Sequence, residues 1–546
     1  MNHNLYMKVY TRDAVPGVYP DGLARSVHFA VSRDGAKFEP LNQNYGILFA
    51  TGLIREDNTI CPKGITEPGV LCLPEGGYLI AAVRTEEDGS PEEEEFLECW
   101  RTEDFLEFEK IPFPAEQSRE NFRDTVELNG SLYGELKRRW GRIFNVEMKV
   151  PQEVTVSGTE ELQAVKAEAV YSDGSVAVKP VDWEIPDIDF SKEQTVTVHG
   201  TVRQQHFPFP LARGYGDPVI FPWEGKWYYI STNDNMDDVG IYVREADTVP
   251  ELFAEQTRQH LILDRDEERY FIQTFWAPEF HLIGGELYIL LAIGGRVWAP
   301  QCHMMKFKKG GKITDPGSWE TPVRVCRKDG SPLAPGGISL DMTYVKGTEK
   351  SWLIWSYREQ IGTELDSGSM LYLAEADEHQ PWILAGEPML LSRPLYGWEN
   401  TEGTINNEGP YAFVRDGMIY LTYSGGSANG YSYVLGLLTA PLDGDLYDSN
   451  IWKKSTTAVL SFYSVDGEYG PGHNSFFYDE EGNLMIAYHA EVAIDDHIRC
   501  NGIRRIHFDR TGRPVFDLSE ERDVAPALRQ VSMRVSVTGK SGEPIS

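Results

Sequence analysis

Hydrophobic and polar positions alternate in short runs along most of the chain, and each run stops at glycine, proline, asparagine or aspartate. Alternation of this kind marks half-buried strands, and its repetition between turn residues predicts an all-β protein. From about residue 212 to 515 one phrase recurs: a polar turn carrying an acid or a histidine, a strand, a glycine turn, then an aromatic-rich strand. Its copies are "GDPVIFPWEGKWYYIST", "WAPEFHLIGGELYILLA", "SLDMTYVKGTEKSWLIWSY", "NNEGPYAFVRDGMIYLTYS" and "GPGHNSFFYDEEGNLMIAYHA". They stand roughly 60–70 residues apart, room for about four strands each, which predicts a five-bladed β-propeller.

The pattern changes on either side. Residues 146–203 hold short alternating strands with few bulky aromatics, a hairpin turn at "YSDG" (171–174) and one large core candidate, Trp183. That predicts a small β-sandwich. The phrases "VTV…YSDG…W…TVTVHGTV" resemble a bacterial immunoglobulin-like module. Residues 1–145 form a β-rich segment in which "TEPGVLCLPEGGYLIAAVRT" (66–85) repeats the propeller phrase, with Glu67 before Pro68 as Asp217 stands before Pro218. It is expected to be a blade-like accessory segment. The propeller, expected to be the catalytic domain, is assigned to 204–520 and a C-terminal tail to 521–546.

With 546 residues and 41% hydrophobic content, the chain has material for several cores, and its 51 glycines and 32 prolines suit many turns. A net charge of −33 repels phosphate backbones and anionic membranes, so nucleic acid and lipid surfaces are not expected partners. The run Glu92–Glu95 is expected to be a solvated loop. No stretch approaches the ~18 apolar residues needed to span a bilayer. Six dispersed cysteines without metal-ligand spacing suggest buried thiols in a reducing compartment, and "MNHNLYMKVYTRDAV" lacks an apolar leader region. A cytoplasmic location is the expectation.

Propeller blades begin their innermost strands near a common axis. Asp217, Glu279, Asp341, Glu408 and His473, one from each copy of the phrase, are therefore expected to converge. Any one of them alone reads as a turn-capping acid; five in register point to a site. Clustered carboxyls suit glycosidic bond cleavage. One acid protonates the leaving oxygen, a second activates water or attacks the sugar, and a third keeps the acid protonated by like-charge repulsion.

With these phrases in this order, the chain resembles glycoside hydrolase family 43, whose members are five-bladed propellers. The resemblance covers about 300 residues. It implies that Asp217 in the G-D-P turn is the general base, Asp341 in "SLDMTY" the pKa modulator and Glu408 in "NNEGPY" the general acid of an inverting reaction. The Trp276 of "WAPE" is expected to border the sugar, and His473 of "GPGH" to reach the axial pocket, where in several members the equivalent histidine helps bind calcium. His473 is thus the candidate metal residue, and a structural calcium the only cofactor considered; the chemistry requires none. Gly216 departs from the arginine that many members carry there.

Glu279, His473 and Arg499 join Trp276 as expected substrate-binding residues, with Phe275, Trp298 and Tyr357 as candidate subsite walls. Asp234 and Asp237 read as loop acids. The expected function is exo-acting hydrolysis that releases a terminal pentose, foremost α-L-arabinofuranose, from hemicellulose-derived oligosaccharides. β-Xylosidase or galactofuranosidase action and a non-catalytic carbohydrate-binding propeller are the alternatives. A retaining fructosidase would carry N-D-P-N-G, which is missing from the chain.

Overall fold

A computed structural model of the protein describes residues 4–539. The chain folds into two compact units. One joins the residues up to Gly134 with Pro208–Ile503; the other joins Glu135–Phe207 with the residues from Arg504 onward.

In the first unit, five four-stranded antiparallel sheets follow one another. Their inner strands are Tyr215–Trp223, Gln273–Ile283, Gly337–Lys346, Glu408–Arg415 and Tyr469–Tyr478, which we number as blades 1 to 5. Each inner strand packs against the next and the fifth against the first, closing the ring. Blade 5 takes its outer strand from Ala212–Arg213, ahead of blade 1, paired with Asn501 and Cys500. First and last blades are thereby fastened together, which leaves the ring no open seam. The turns Glu224-Gly225, Gly284-Gly285 and Asp416-Gly417 carry two consecutive positive φ angles each, the conformation that joins tightly twisted hairpins.

Every inner strand is irregular near its start, and those of blades 2 and 5 carry a further register jump just ahead of the one common to all five, between Gln273 and Trp276 and between Tyr469 and Gly472. The pairing register jumps between Gly216 and Val219, Trp276 and Glu279, Leu340 and Thr343, Glu408 and Tyr411, and Gly472 and Ser475. Within each jump one residue has positive φ: Asp217 (56°), Ala277 (45°), Asp341 (52°), Gly409 (56°) and His473 (38°). These are β-bulges, which bend a strand and re-aim a side chain. The true equivalents of Asp217 in blades 2 and 4 are therefore Ala277 and Gly409. Glu279 lies two residues after its bulge residue and Glu408 one before.

The N-terminal segment contains a sixth sheet of the same design. Lys63–Cys72, Tyr78–Glu86, Leu97–Thr102 and Glu109–Ile111 pair in sequence order, with a register jump between Thr66 and Gly69. Glu67 sits in that jump at φ 50°. Its exposed carboxylate pairs with Arg119. A second sheet forms from Thr125–Leu128, Leu5–Tyr10, His28–Ser32 and Glu39–Pro40. Tyr19, Leu23, Tyr45 and Phe49 from this segment share one hydrophobic core with Trp352, Trp398 and Tyr423 of the propeller.

The second unit is a sandwich of two sheets. Trp183 lies in its core with Val198, Val202, Met533, Val535 and Val537. Its longest pairing joins Glu193–Val202 to Gln530–Thr538. This corrects the reading of 521–546 as a tail. The alternation Val531, Met533, Val535, Val537 makes this stretch a core strand, and residues 540–546 lie outside the described residues.

Candidate active site

Asp217 opens the site. Its bulge conformation turns a buried carboxylate toward partners from blades 1 and 5. Thr232 donates a hydrogen bond to Oδ2 at 2.6 Å. Arg499 Nη1 reaches both carboxylate oxygens, at 3.1 and 3.2 Å, and His473 Nδ1 lies 3.0 Å from Oδ1. The Asp217 backbone N–H lies 3.2 Å from His489 Nδ1, which is also 3.4 Å from Asp217 Oδ1. Burial pushes the Asp217 carboxyl up, but His473, Arg499 and His489 together hold it well below the usual carboxylate range. Burial also lowers His473 to about 4, so the full positive charge beside Asp217 at neutral pH is that of Arg499.

Asp341 and Glu408 have the opposite electrostatics. Ser356 donates to Asp341 Oδ2 at 3.2 Å and the Gly409 N–H to the same oxygen at 3.1 Å. Asp341 is buried, and its carboxyl is raised well above the ordinary range by burial, then by the charges of Glu408 and Asp217. Glu408 is half-buried and accepts a hydrogen bond from the Tyr433 hydroxyl at 3.0 Å. Burial pushes it up to about 7; Tyr433, Arg358 and Arg499 oppose that rise and Asp217 adds to it. The cluster thus draws Asp217 toward its ionised form and Asp341 and Glu408 toward their protonated forms. An ionised carboxylate and a protonated carboxyl facing one site are the pair that acid–base cleavage of a glycoside needs.

Glu279 is buried beside His281, whose Nε2 is 2.6 Å from Oε2. Burial raises Glu279 well above its usual range and lowers His281 to about 3, so it favours the neutral form of each. Trp276 is half-buried; its indole N–H donates to Asp238 Oδ2 at 2.8 Å and its ring lies 6.2 Å from that of Trp298 in a T-shaped pair. Trp298 is 40% exposed, as a subsite wall would be, whereas Phe275 is fully buried and Tyr357 packs in the core of blades 2 and 3.

Arg499 does reach the centre, and the loop acid beside it is no bystander. Asp234 accepts from Arg499 Nε at 3.0 Å and from Nη2, anchoring the guanidinium on the side away from Asp217. Asp237 is exposed, as its reading as a loop acid expected. The departure at Gly216 has a steric cause: a Cβ there would stand 2.0 Å from Arg499 Cζ. The arginine supplied from blade 5 fills the space that a side chain at 216 would need. Tyr433, stacked on His489 with ring centroids 5.4 Å apart, follows the turn-rich stretch Gly425–Gly430, which reads as an ordinary loop and does not single out the tyrosine.

The calcium expectation meets an unsuitable donor set. Calcium requires six to eight oxygen ligands, while the carboxylate nearest His473 is already engaged by Arg499, Thr232 and His473 itself. Among the described residues no group of three or more His, Cys, Asp or Glu side chains gathers to hold a metal.

Comparison with known proteins agrees with this geometry. The model of the glycosyl hydrolases family 43 matches residues 210–514, and that of the bacterial Ig-like domain (group 4) matches 165–205. An extracellular exo-α-(1→5)-L-arabinofuranosidase of Streptomyces avermitilis is 30% identical over 331 residues, 59% of this chain and 65% of that enzyme. The enzyme of the same name from Streptomyces chartreusis is 32% identical over 302 residues, 54% of this chain and 84% of its own. The chain thus spans just under two thirds of the length of the Streptomyces avermitilis relative. The crystal structure of an α-L-arabinofuranosidase from Lactobacillus brevis superposes with a TM-score of 0.50 at 27% identity, covering 56% of this chain and 95% of that one. With more than half of its length matched and its acids gathered at the start of the inner strands, this chain belongs to the glycosyl hydrolases family 43.

Proposed function

We propose that the protein is an exo-acting, inverting glycoside hydrolase that removes terminal α-L-arabinofuranose from oligosaccharides. One observation carries this reading: Asp217 is held ionised while Glu408 is pushed up to about 7 at the same site. Asp217 takes a proton from a water molecule, which attacks the anomeric carbon. Glu408 gives its proton to the departing oxygen. Asp341 accepts the N–H of Gly409, the residue directly after the acid, and so helps hold the backbone that presents Glu408. For the water to fit, an inverting pair needs a separation of roughly 6.5–9.5 Å. Trp276 and Trp298 offer apolar faces to the sugar.

The choice of arabinofuranose is supported by the two Streptomyces relatives and the Lactobacillus brevis enzyme, and that of exo action by the two Streptomyces relatives. Six unpaired cysteines support a reducing compartment, and we propose hydrolysis of imported oligosaccharides in the cytoplasm, to be tested by cell fractionation.

The deciding experiment is a screen against 4-nitrophenyl α-L-arabinofuranoside, β-D-xylopyranoside and β-D-galactofuranoside, with NMR of the first-formed anomer. Turnover of the arabinofuranoside with inversion is expected. A preference for either other glycone would replace the sugar assignment, and a retained anomer would overturn the roles of Asp217 and Glu408.

A further inference from the structure

The carboxyl of Glu408 is met by the Tyr433 hydroxyl, so its place is set chiefly by the backbone that delivers it. That backbone is the connection from blade 3 to blade 4, residues 393–407. At its centre Glu399 is completely buried. Glu399 accepts hydrogen bonds from the Tyr396 N–H (2.9 Å), the Tyr423 hydroxyl (3.0 Å) and Asn407 Nδ2 (2.8 Å), and lies 2.5 Å from Lys454 Nζ. Asn407, the residue before Glu408, is pinned in turn. Its side-chain oxygen accepts from Ser392 Oγ at 2.7 Å and from Lys454 Nζ at 3.3 Å, and its backbone N–H donates to the Ser369 carbonyl at 2.9 Å. A buried ion pair is a weak source of stability; its best-attested use is to fix one arrangement among several.

The opposite side of the same connection is held by the N-terminal segment. The Gly52 N–H donates to the Leu395 carbonyl at 2.6 Å, and Thr51 bridges Tyr396. Arg393 donates through Nη1 to Asn58 Oδ1 at 2.6 Å and through Nη2 to the Asn58 carbonyl at 2.8 Å. Gly22 and Gly397 meet backbone to backbone; a Cβ on Gly397 would stand 2.5 Å from the Gly22 carbonyl oxygen. Trp398, between these contacts and Glu399, is buried in the core that Tyr19, Leu23 and Phe49 share with blades 3 and 4.

We propose that the N-terminal segment is a clamp that positions the general acid: Gly22, Gly52 and Asn58 fix the 393–407 connection, and the Glu399–Lys454 pair carries that constraint through Asn407 to Glu408. Glu399 and Asn58 are positioning residues; neither touches the reacting atoms. The proposal rests on Glu408 being the acid.

The test uses the full chain and two substrates. A misplaced acid slows departure of a poor leaving group and spares a good one, because only the former needs a proton. Asn58→Gly removes the side-chain acceptor for Arg393 while glycine keeps the φ of 71°. Glu399→Gln combined with Lys454→Met removes the pair without leaving a buried charge. Each variant should lower kcat on α-1,5-arabinotriose roughly 10- to 100-fold, with KM changed less than about 2-fold and turnover of 2,4-dinitrophenyl α-L-arabinofuranoside reduced less than about 3-fold. Glu408→Ala is the reference and should show the same split, more steeply. If the reference shows the split while the clamp variants slow both substrates equally, or neither, the clamp is overturned. If Glu408→Ala itself shows no split, the acid assignment fails, and the clamp with it.

Discussion

The guanidinium of Arg499 bridges Asp217 and Asp234, with Nη1 3.1 Å from Asp217 Oδ1 and Nε 3.0 Å from Asp234 Oδ2. A residue of the last blade thus sets the charge state of the carboxylate that opens the first. Closure of the ring by Ala212–Arg213 pairs blade 5 with the strand just ahead of Asp217, so the fastening of the propeller and the tuning of the base share one seam.

This seam has no room at residue 216. Gly216→Ala places a Cβ 2.0 Å from Arg499 Cζ and displaces the guanidinium. Misplacing a catalytic group by about an ångström costs on the order of 10²-fold. We expect kcat/KM of Gly216→Ala to fall by about that factor with the fold intact by circular dichroism; an activity within about 2-fold of the parent would refute the role given to Arg499.

The pH profile follows from the opposed shifts. Glu408 works protonated and is raised to about 7, so activity is lost as pH rises through about 7. Asp217 works ionised and is held well below its ordinary range, so the acid-side loss is expected well below the pH at which a free carboxylate titrates. Arg499→Met removes a charge that holds Asp217 down and should move the acid limb upward, and it should also raise the alkaline limb, less strongly, because Arg499 opposes the rise of Glu408 as the smallest of the causes acting on it. Measuring kcat/KM against pH for both proteins checks this; an unmoved acid limb would disprove the electrostatic account.

The propeller and its acids were legible because their chemistry is written in turn residues. The phrases around Asp217, Asp341 and Glu408 pair an acid with proline, glycine or a strand start, and the repeat length gave five blades. The register of the acids was not legible. A bulge residue is defined by positive φ, a backbone property that Ala277 and Gly409 share with Asp217 and Asp341, so matching acids to acids misaligned Glu279 and Glu408. Groups such as Tyr433, His489 and Ser356 lie on second strands or plain loops, where buried polar residues look like any other position. Asp234 read as a solvated loop acid because its partner, Arg499, is remote in sequence. The strand Gln530–Thr538 was missed inside what read as a C-terminal tail: its partners lie more than three hundred residues earlier, and pairing at that range leaves no local mark.

Trp298 should contribute binding rather than chemistry. It is 40% exposed and paired edge-to-face with Trp276, which Asp238 fixes by its hydrogen bond. An aromatic contact of this kind is worth about 0.5–1.5 kcal/mol. Trp298→Ala should therefore raise KM for an oligosaccharide roughly 2- to 10-fold at nearly constant kcat. A fall in kcat with unchanged KM would show that Trp298 acts in the transition state instead.

In the sandwich unit, the buried carboxylate of Asp523 gathers two buried cations, which makes the unit sensitive to its loss. Asp523 accepts from Lys179 Nζ at 2.9 and 3.1 Å, from Arg505 Nε at 3.1 Å and from the Tyr171 hydroxyl at 2.8 Å. Burial pushes Asp523 up, but Arg505 and Lys179 hold it far below the ordinary range. Because the folded state depresses this pKa, the stabilisation is present above the unfolded value of about 3.9 and is lost as pH falls below it. Asp523→Asn keeps the shape and removes the charge, leaving two buried cations without their counter-ion. Breaking a buried ion pair from one side costs about 3–5 kcal/mol. Hydrogen exchange in the strand Glu193–Val202, followed at pH 7, should accelerate accordingly in Asp523→Asn, and the parent should approach the variant's protection as the pH is lowered below about 4. Equal protection in the two proteins at pH 7 would show that the network adds no stability.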